Sequence, residues 1–91
     1  MTMTAQKIRV TGRVQGVFFR DSTRQQAETL GLTGYAANMN DGSVEILVQG
    51  KPEAIEKIVL WINAGGPPAA RVDSVTRVSC PLQETRGFRV R

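Results

Sequence analysis

The run Gly12-Arg13-Val14-Gln15-Gly16-Val17-Phe18-Phe19-Arg20 carries the residue types that a small, doubly charged anion needs. It reads as a strand end, a tight loop with one interior glycine, and an arginine at the mouth of a helix. Gly16 allows a positive φ or a close backbone approach. Around such a turn, the main-chain N–H groups of Gln15, Gly16, Val17, Phe18, Phe19 and Arg20 can curl into a concave anion site. The Arg20 guanidinium is a planar fork that grips a phosphate through two hydrogen bonds. A helix starting near Asp21 would aim its positive end at the same place.

The elements around this loop follow from periodicity. Residues 7–14 alternate, with Ile8, Val10 and Val14 on one face and Lys7, Arg9, Thr11 and Arg13 on the other, as in a half-buried strand. Gly12 sits where another backbone must pass close. Residues 21–31 read as a helix with Thr23, Ala27 and Leu30 as its apolar stripe, Asp21 or Ser22 as its cap and Gly31 as its stop. Residues 33–39 and 43–49 form a hairpin about Asn40-Asp41-Gly42. Tyr35 is expected on the buried side of its first strand, and Ala36 and Asn38 on the other. A second helix opens at Pro52 and buries Ile55, Ile58, Val59 and Ile62, and Gly65-Gly66-Pro67-Pro68 ends it. Residues 71–79 read as a strand, but Val72, Val75 and Val78 are spaced by three, which predicts a bulge or bend. Phe88 and Val90 make a short last strand. The order β-α-β-β-α-β predicts an α+β, two-layer ferredoxin-like sandwich. Its antiparallel sheet would carry two helices on one face and solvent on the other.

Composition narrows the chemistry. A chain of 91 residues is expected to form one domain, 1–91, with residues 1–5 flexible. Its net charge of +4 suits an anionic substrate as well as nucleic acid, and the basic residues are scattered rather than clustered in a tail. With no histidine and one cysteine, Cys80, the chain lacks the commonest general base and any plausible zinc set, so no metal and no cofactor is expected. There is no apolar run of membrane-spanning length and no signal-like start. The single thiol makes no internal disulfide, so a cytoplasmic location is expected.

The stretch 12–20 resembles the signature of the acylphosphatases. Gly34-Tyr35-Ala36-Ala37-Asn38 followed by Asp41-Gly42-Ser43-Val44-Glu45 is similar to the same family's strand, asparagine and hairpin. The likeness runs from about Lys7 to Val90. The family pattern most often has glycine where Phe18 stands and tryptophan where Tyr35 stands. The resemblance implies a metal-independent hydrolase of small acyl phosphates, with Arg20 binding the phosphate and Asn38 holding the attacking water. Such chemistry at phosphorus depends on positioning and charge rather than on covalent help. A carboxamide can hold water because it both donates and accepts. It is not a base, so the proton would pass to the substrate's phosphate or to bulk water.

Two other functions compete. Sheet-face RNA binding shares the layout and the charge, but that class stacks bases on exposed aromatics, which are scarce here. A phosphate-binding module without activity also fits the fold, since similar modules occur inside larger carbamoyl-transfer maturation proteins. The presence of both motif residues favours a free-standing monomeric enzyme, with a small acyl phosphate as its partner and neither nucleic acid nor membrane.

Overall fold

The computed structural model describes residues 2–91. In chain order the elements are β1 (Thr4–Arg13), α1 (Phe19–Thr29), β2 (Thr33–Asn38), β3 (Val44–Gly50), α2 (Pro52–Asn63), β4 (Arg71–Cys80) and β5 (Phe88–Val90). They build one sheet in the order β4-β1-β3-β2-β5. The first four strands pair antiparallel, as the ferredoxin-like reading requires. β5 adds to the edge of β2 in parallel, Tyr35 opposite Arg89, so the whole sheet is mixed. That addition brings the end of the chain beside the end of β2.

The core follows the alternation of β1 and β3. Ile8, Val10, Ile46 and Val48 are fully enclosed, packed against Phe19 and Ala27 of α1 and Ile55, Ile58 and Ile62 of α2. Each such aliphatic side chain contributes roughly 1.5–3 kcal/mol of burial. The β1–β4 register slips between Thr11 and Gly12, leaving Asp73 as the extra residue. This is the bulge that the valine spacing predicted. Gly12 has φ +121, and a Cβ there would lie 2.2 Å from the Arg71 carbonyl oxygen, so the strand can pass its neighbour only with glycine.

Three local expectations need correction. β1 already starts at Thr4 and Ala5 is buried, so the expected flexible start does not reach those residues; Met1 lies outside the described residues. α1 begins at Phe19 rather than near Asp21, and no side chain caps it. In β2 it is Ala36 that is fully buried, on the helix side. Tyr35 lies on the opposite face, where its hydroxyl donates to Glu45 at 2.8 Å. Nor is that face wholly open. Leu47, paired with Tyr35, is 1% exposed, and the buried Gln49 exchanges two 2.8 Å hydrogen bonds with the main chain of Gln83.

Candidate active site

The loop after β1 is anchored from below by three apolar side chains. Val14, Val17 and Phe19 turn into the core, while Gly16 and Phe18 stay outside. The Phe19 ring tilts against Trp61 with centroids 5.9 Å apart, and the Phe19 carbonyl accepts from Thr23 Oγ1 at 2.8 Å. With every second or third residue pinned, the backbone between must curl. It does so through positive φ at Gly16 (+75) and, unusually, at Phe18 (φ 61, ψ 25). A side-chain-bearing residue in that region costs about 1–2 kcal/mol. The Phe18 ring recovers little of this, being 81% exposed. The geometry explains why glycine suits this position in the pattern that the sequence resembles.

The curl leaves hydrogen-bonding capacity unused. Ser22 N–H is the first amide of α1 to find a partner, the Phe18 carbonyl at 3.0 Å. Among the described residues, the main-chain N–H groups from Gln15 to Asp21 donate to no protein acceptor. Gly16, Phe18, Phe19, Arg20 and Asp21, with Val90 of β5, line a cavity of about 230 Å³. That is below the ~300–1,000 Å³ of pockets for drug-sized ligands, and suits a group of phosphoryl size.

Arg20 reaches across to Arg91, where its Nη1 donates to the main-chain oxygen at 2.5 Å. The same oxygen accepts the Asn38 N–H at 3.3 Å, and Arg91 N–H in turn donates to the Ala36 carbonyl at 2.8 Å. Arg20 and the end of β2 are therefore tied to one atom. Nε and Nη2 of Arg20 keep no acceptor among the described residues. Asn38 does not line the 230 Å³ cavity, and its exposed carboxamide has no hydrogen-bond partner among the described residues. By strand alternation it shares the helix side of β2 with Ala36.

Gln15 does more than supply an amide. Its Nε2 donates to the carbonyls of Met39 and Ser43, at 2.8 and 2.9 Å, and so straps the loop to the β2–β3 turn beside Asn38. That turn is itself tied by Asp41, which accepts from Ser43 N–H at 2.9 Å, Ser43 Oγ at 2.6 Å and the Arg9 guanidinium. The two bonds from Ser43, aided by Arg9, hold the Asp41 carboxyl down at about 2.

Asp21, the acid on the cavity wall, is engaged elsewhere. Arg24 donates to its Oδ1 at 2.7 and 3.2 Å, and Gln25 to its Oδ2 at 3.1 Å. The Arg24 hydrogen bonds keep its pKa below the ordinary value. An ionised carboxylate beside an anion site would repel the ligand, and its partner offsets that charge. Sequence reading named Arg20, Asn38 and the loop amides but missed the strap from Gln15 and the Arg91 carbonyl. A glutamine in front of the loop glycine was a faint signal for the first. A main-chain oxygen leaves no mark in sequence.

The acylphosphatase family model matches residues 6–90. An acylphosphatase from Yersinia pseudotuberculosis is 49% identical over 82 residues, which span 90% of this chain and 89% of that protein. The solved structure of an acylphosphatase from Coxiella burnetii aligns with a TM-score of 0.92 at 39% identity, covering 98% of this chain and 93% of the other. One from Bacillus subtilis aligns with a TM-score of 0.91 at 31% identity, covering 98% of both. Full-length HypF, in a phosphate- and nucleotide-bound form, contains a similar unit: TM-score 0.92, 26% identity, 98% of this chain and 12% of that one.

Proposed function

Because the chain belongs to the acylphosphatase family, an acid-anhydride hydrolase family acting on acyl phosphates, we propose that Arg20 and the amides of Gln15–Arg20 hold the phosphoryl group and that Asn38 presents the water. The observation that carries this reading is the shared main-chain oxygen of Arg91, which ties the Arg20 guanidinium and the Asn38 main chain to one point. Unpartnered amides and the free Nε and Nη2 groups of Arg20 match the equatorial oxygens, where charge develops, without reorganising. The water oxygen forms a bond to phosphorus as the bond from phosphorus to the acyl oxygen breaks. The electron pair leaves with the carboxylate. The water's proton passes to a phosphate oxygen or to solvent, so no protein base is called for. Both side chains come from one copy of the chain, so a monomer suffices. No helix among the described residues is long and apolar enough to cross a membrane.

The test is hydrolysis of benzoyl phosphate with inorganic phosphate as competitor. Arg20→Gln is expected to lower kcat/KM by roughly 10³-fold or more and to abolish competition by phosphate. Asn38→Ala is expected to lower kcat by roughly 10²-fold while the phosphate inhibition constant stays within about three-fold. Near-normal kcat in Asn38→Ala would remove the water-holding role. RNA binding gains no support from the sheet: among the described residues Tyr35 is the aromatic on the face away from the helices, and its ring is covered by the Arg91 guanidinium, 4.1 Å from the centroid.

A further inference from the structure

We infer a second anion site on the sheet face away from the helices, built to take a small molecule carrying a diphosphate. A cavity of about 470 Å³ opens there, twice the volume of the one beside Arg20. Its floor is Leu47 and Tyr35, and three arginines, Arg86, Arg89 and Arg91, are among its lining residues. Arg89 and Arg91 stand two residues apart on β5 and its extension, so they share this face, and Arg91 lies over the Tyr35 ring.

The charge there is unanswered. Arg9, Arg24, Arg71 and Arg77 each pair with a carboxylate. Arg86, Arg89 and Arg91 make no ion pair, and their guanidinium groups make no hydrogen bond, among the described residues. Glu84 is the acid on the cavity wall and Glu45 accepts from the hydroxyl of Tyr35 on the floor, so the three guanidinium groups still outnumber the carboxylates beside them. A concave wall in which one sign of charge predominates concentrates a ligand of the opposite sign. Guanidinium forks select phosphate oxygens in pairs. One phosphate would leave most of this volume and at least one fork unused, whereas a diphosphate spans them.

The wall is fixed before any ligand arrives. The reciprocal Gln49–Gln83 pair holds one end of the segment that carries Arg86. Thr33 and Thr85 meet at 2.5 Å, and Gly34 N–H donates to the Gly87 carbonyl at 3.0 Å. An irregular segment pinned at three points is preorganised, which lowers the entropy cost of binding. The site stands apart from the cradle at Arg20, although Arg91 belongs to both through its side chain here and its carbonyl there.

The experiment is calorimetric titration of pyrophosphate, ADP and inorganic phosphate at 0.15 M salt. The proteins are the wild-type chain and the variants Arg20→Gln, Arg86→Gln/Arg89→Gln and Lys51→Gln/Lys57→Gln. Pyrophosphate is expected to bind Arg20→Gln within about two-fold of wild type and the Arg86→Gln/Arg89→Gln variant at least about ten-fold more weakly. The lysine variant, which loses the same charge elsewhere, is expected to stay within about two-fold. ADP tighter than pyrophosphate identifies a nucleoside diphosphate as the occupant, and equal affinity identifies the diphosphate alone; both support the site. Loss of binding in Arg20→Gln would assign the ligand to the catalytic cradle and overturn the proposal. So would equal weakening in both double variants, phosphate binding Arg20→Gln as tightly as pyrophosphate does, or no binding of any probe to Arg20→Gln.

Discussion

Two turns face each other across the candidate site, and they are held in opposite ways. The turn at residues 39–43 spends its hydrogen-bonding capacity on itself: Met39 N–H to Ser43 carbonyl at 2.8 Å, Gly42 N–H to Met39 carbonyl at 3.1 Å, and Ser43 N–H to Asp41. Its one positive φ falls on a glycine, Gly42. The loop at 15–19 is fastened by apolar side chains from beneath, spends none of its amides, and puts a phenylalanine in the left-handed region. The difference separates shape from binding. The hairpin is rigid because its polar groups are satisfied. The loop keeps its main-chain N–H groups free because something else, the burial of Val14, Val17 and Phe19, maintains its shape. Strain and unspent donors together mark where a ligand is to supply what the fold withholds.

The Gln15 strap joins the two turns, and cutting it should have the largest effect on their relation. Gln15→Ala removes two hydrogen bonds to carbonyls, each worth about 0.5–1.5 kcal/mol net. Urea unfolding should show a loss of roughly 1–3 kcal/mol. kcat should fall more than the phosphate inhibition constant rises, because the loop survives while its alignment with Asn38 does not. An equal change in both would mean that the strap merely stabilises. Phe18→Gly tests the strain directly. Relief of the left-handed cost, less the extra unfolded-state entropy of glycine, should stabilise the chain by about 0.5–1 kcal/mol. A stability loss in urea would show that the exposed ring is needed where it stands.

The same contrast explains what could be read in advance. Asp41-Gly42 between alternating strands identified the hairpin because its rules are local. The four isoleucine and valine positions of α2 fixed its buried face for the same reason. Tyr35 was misassigned because β2 is small and apolar on both sides. The aromatic looked like the core residue, whereas a fully buried Ala36 was the one facing the helices. β5 was legible as a strand from Phe88 and Val90, but its parallel pairing was not, since three residues carry no sign of direction. Arg20 and Asn38 were legible as types at motif spacing. That the Arg20 guanidinium and the Asn38 main-chain N–H meet at the Arg91 main-chain oxygen depends on the parallel edge strand, which the residues alone did not reveal.

A smaller effect probes the charge beside the loop. Arg24→Ala leaves Asp21 ionised on the cavity wall without its partner. Exposed pairs are weak, so the inhibition constant for phosphate should rise only about two- to five-fold, and the rise should shrink in 1 M salt. No change at low salt would place Asp21 too far away to be felt by the ligand.

The smallest effect concerns the hairpin, whose order is the more electrostatic of the two. The Asp41 carboxyl is held at about 2 by Ser43 and then by Arg9, against an ordinary value of 3.8. A folded-state value below the unfolded one means that the carboxylate stabilises the chain above pH ~4, and that this is lost as pH falls through about 2. Asp41→Asn keeps an acceptor for Ser43 but has no charge for Arg9 and nothing to titrate. Its urea midpoint should lie below that of wild type at pH 5, and the gap should close by pH 2. Because Asp41 is exposed, the gap should be small and should narrow in 1 M salt. The loop, held by apolar burial, has no matching titration, so its phosphate affinity in Asp41→Asn should fall only as far as Gln15 transmits the loosened turn. A gap that persists unchanged to pH 2 would mean that the turn, like the loop, is held by something other than charge.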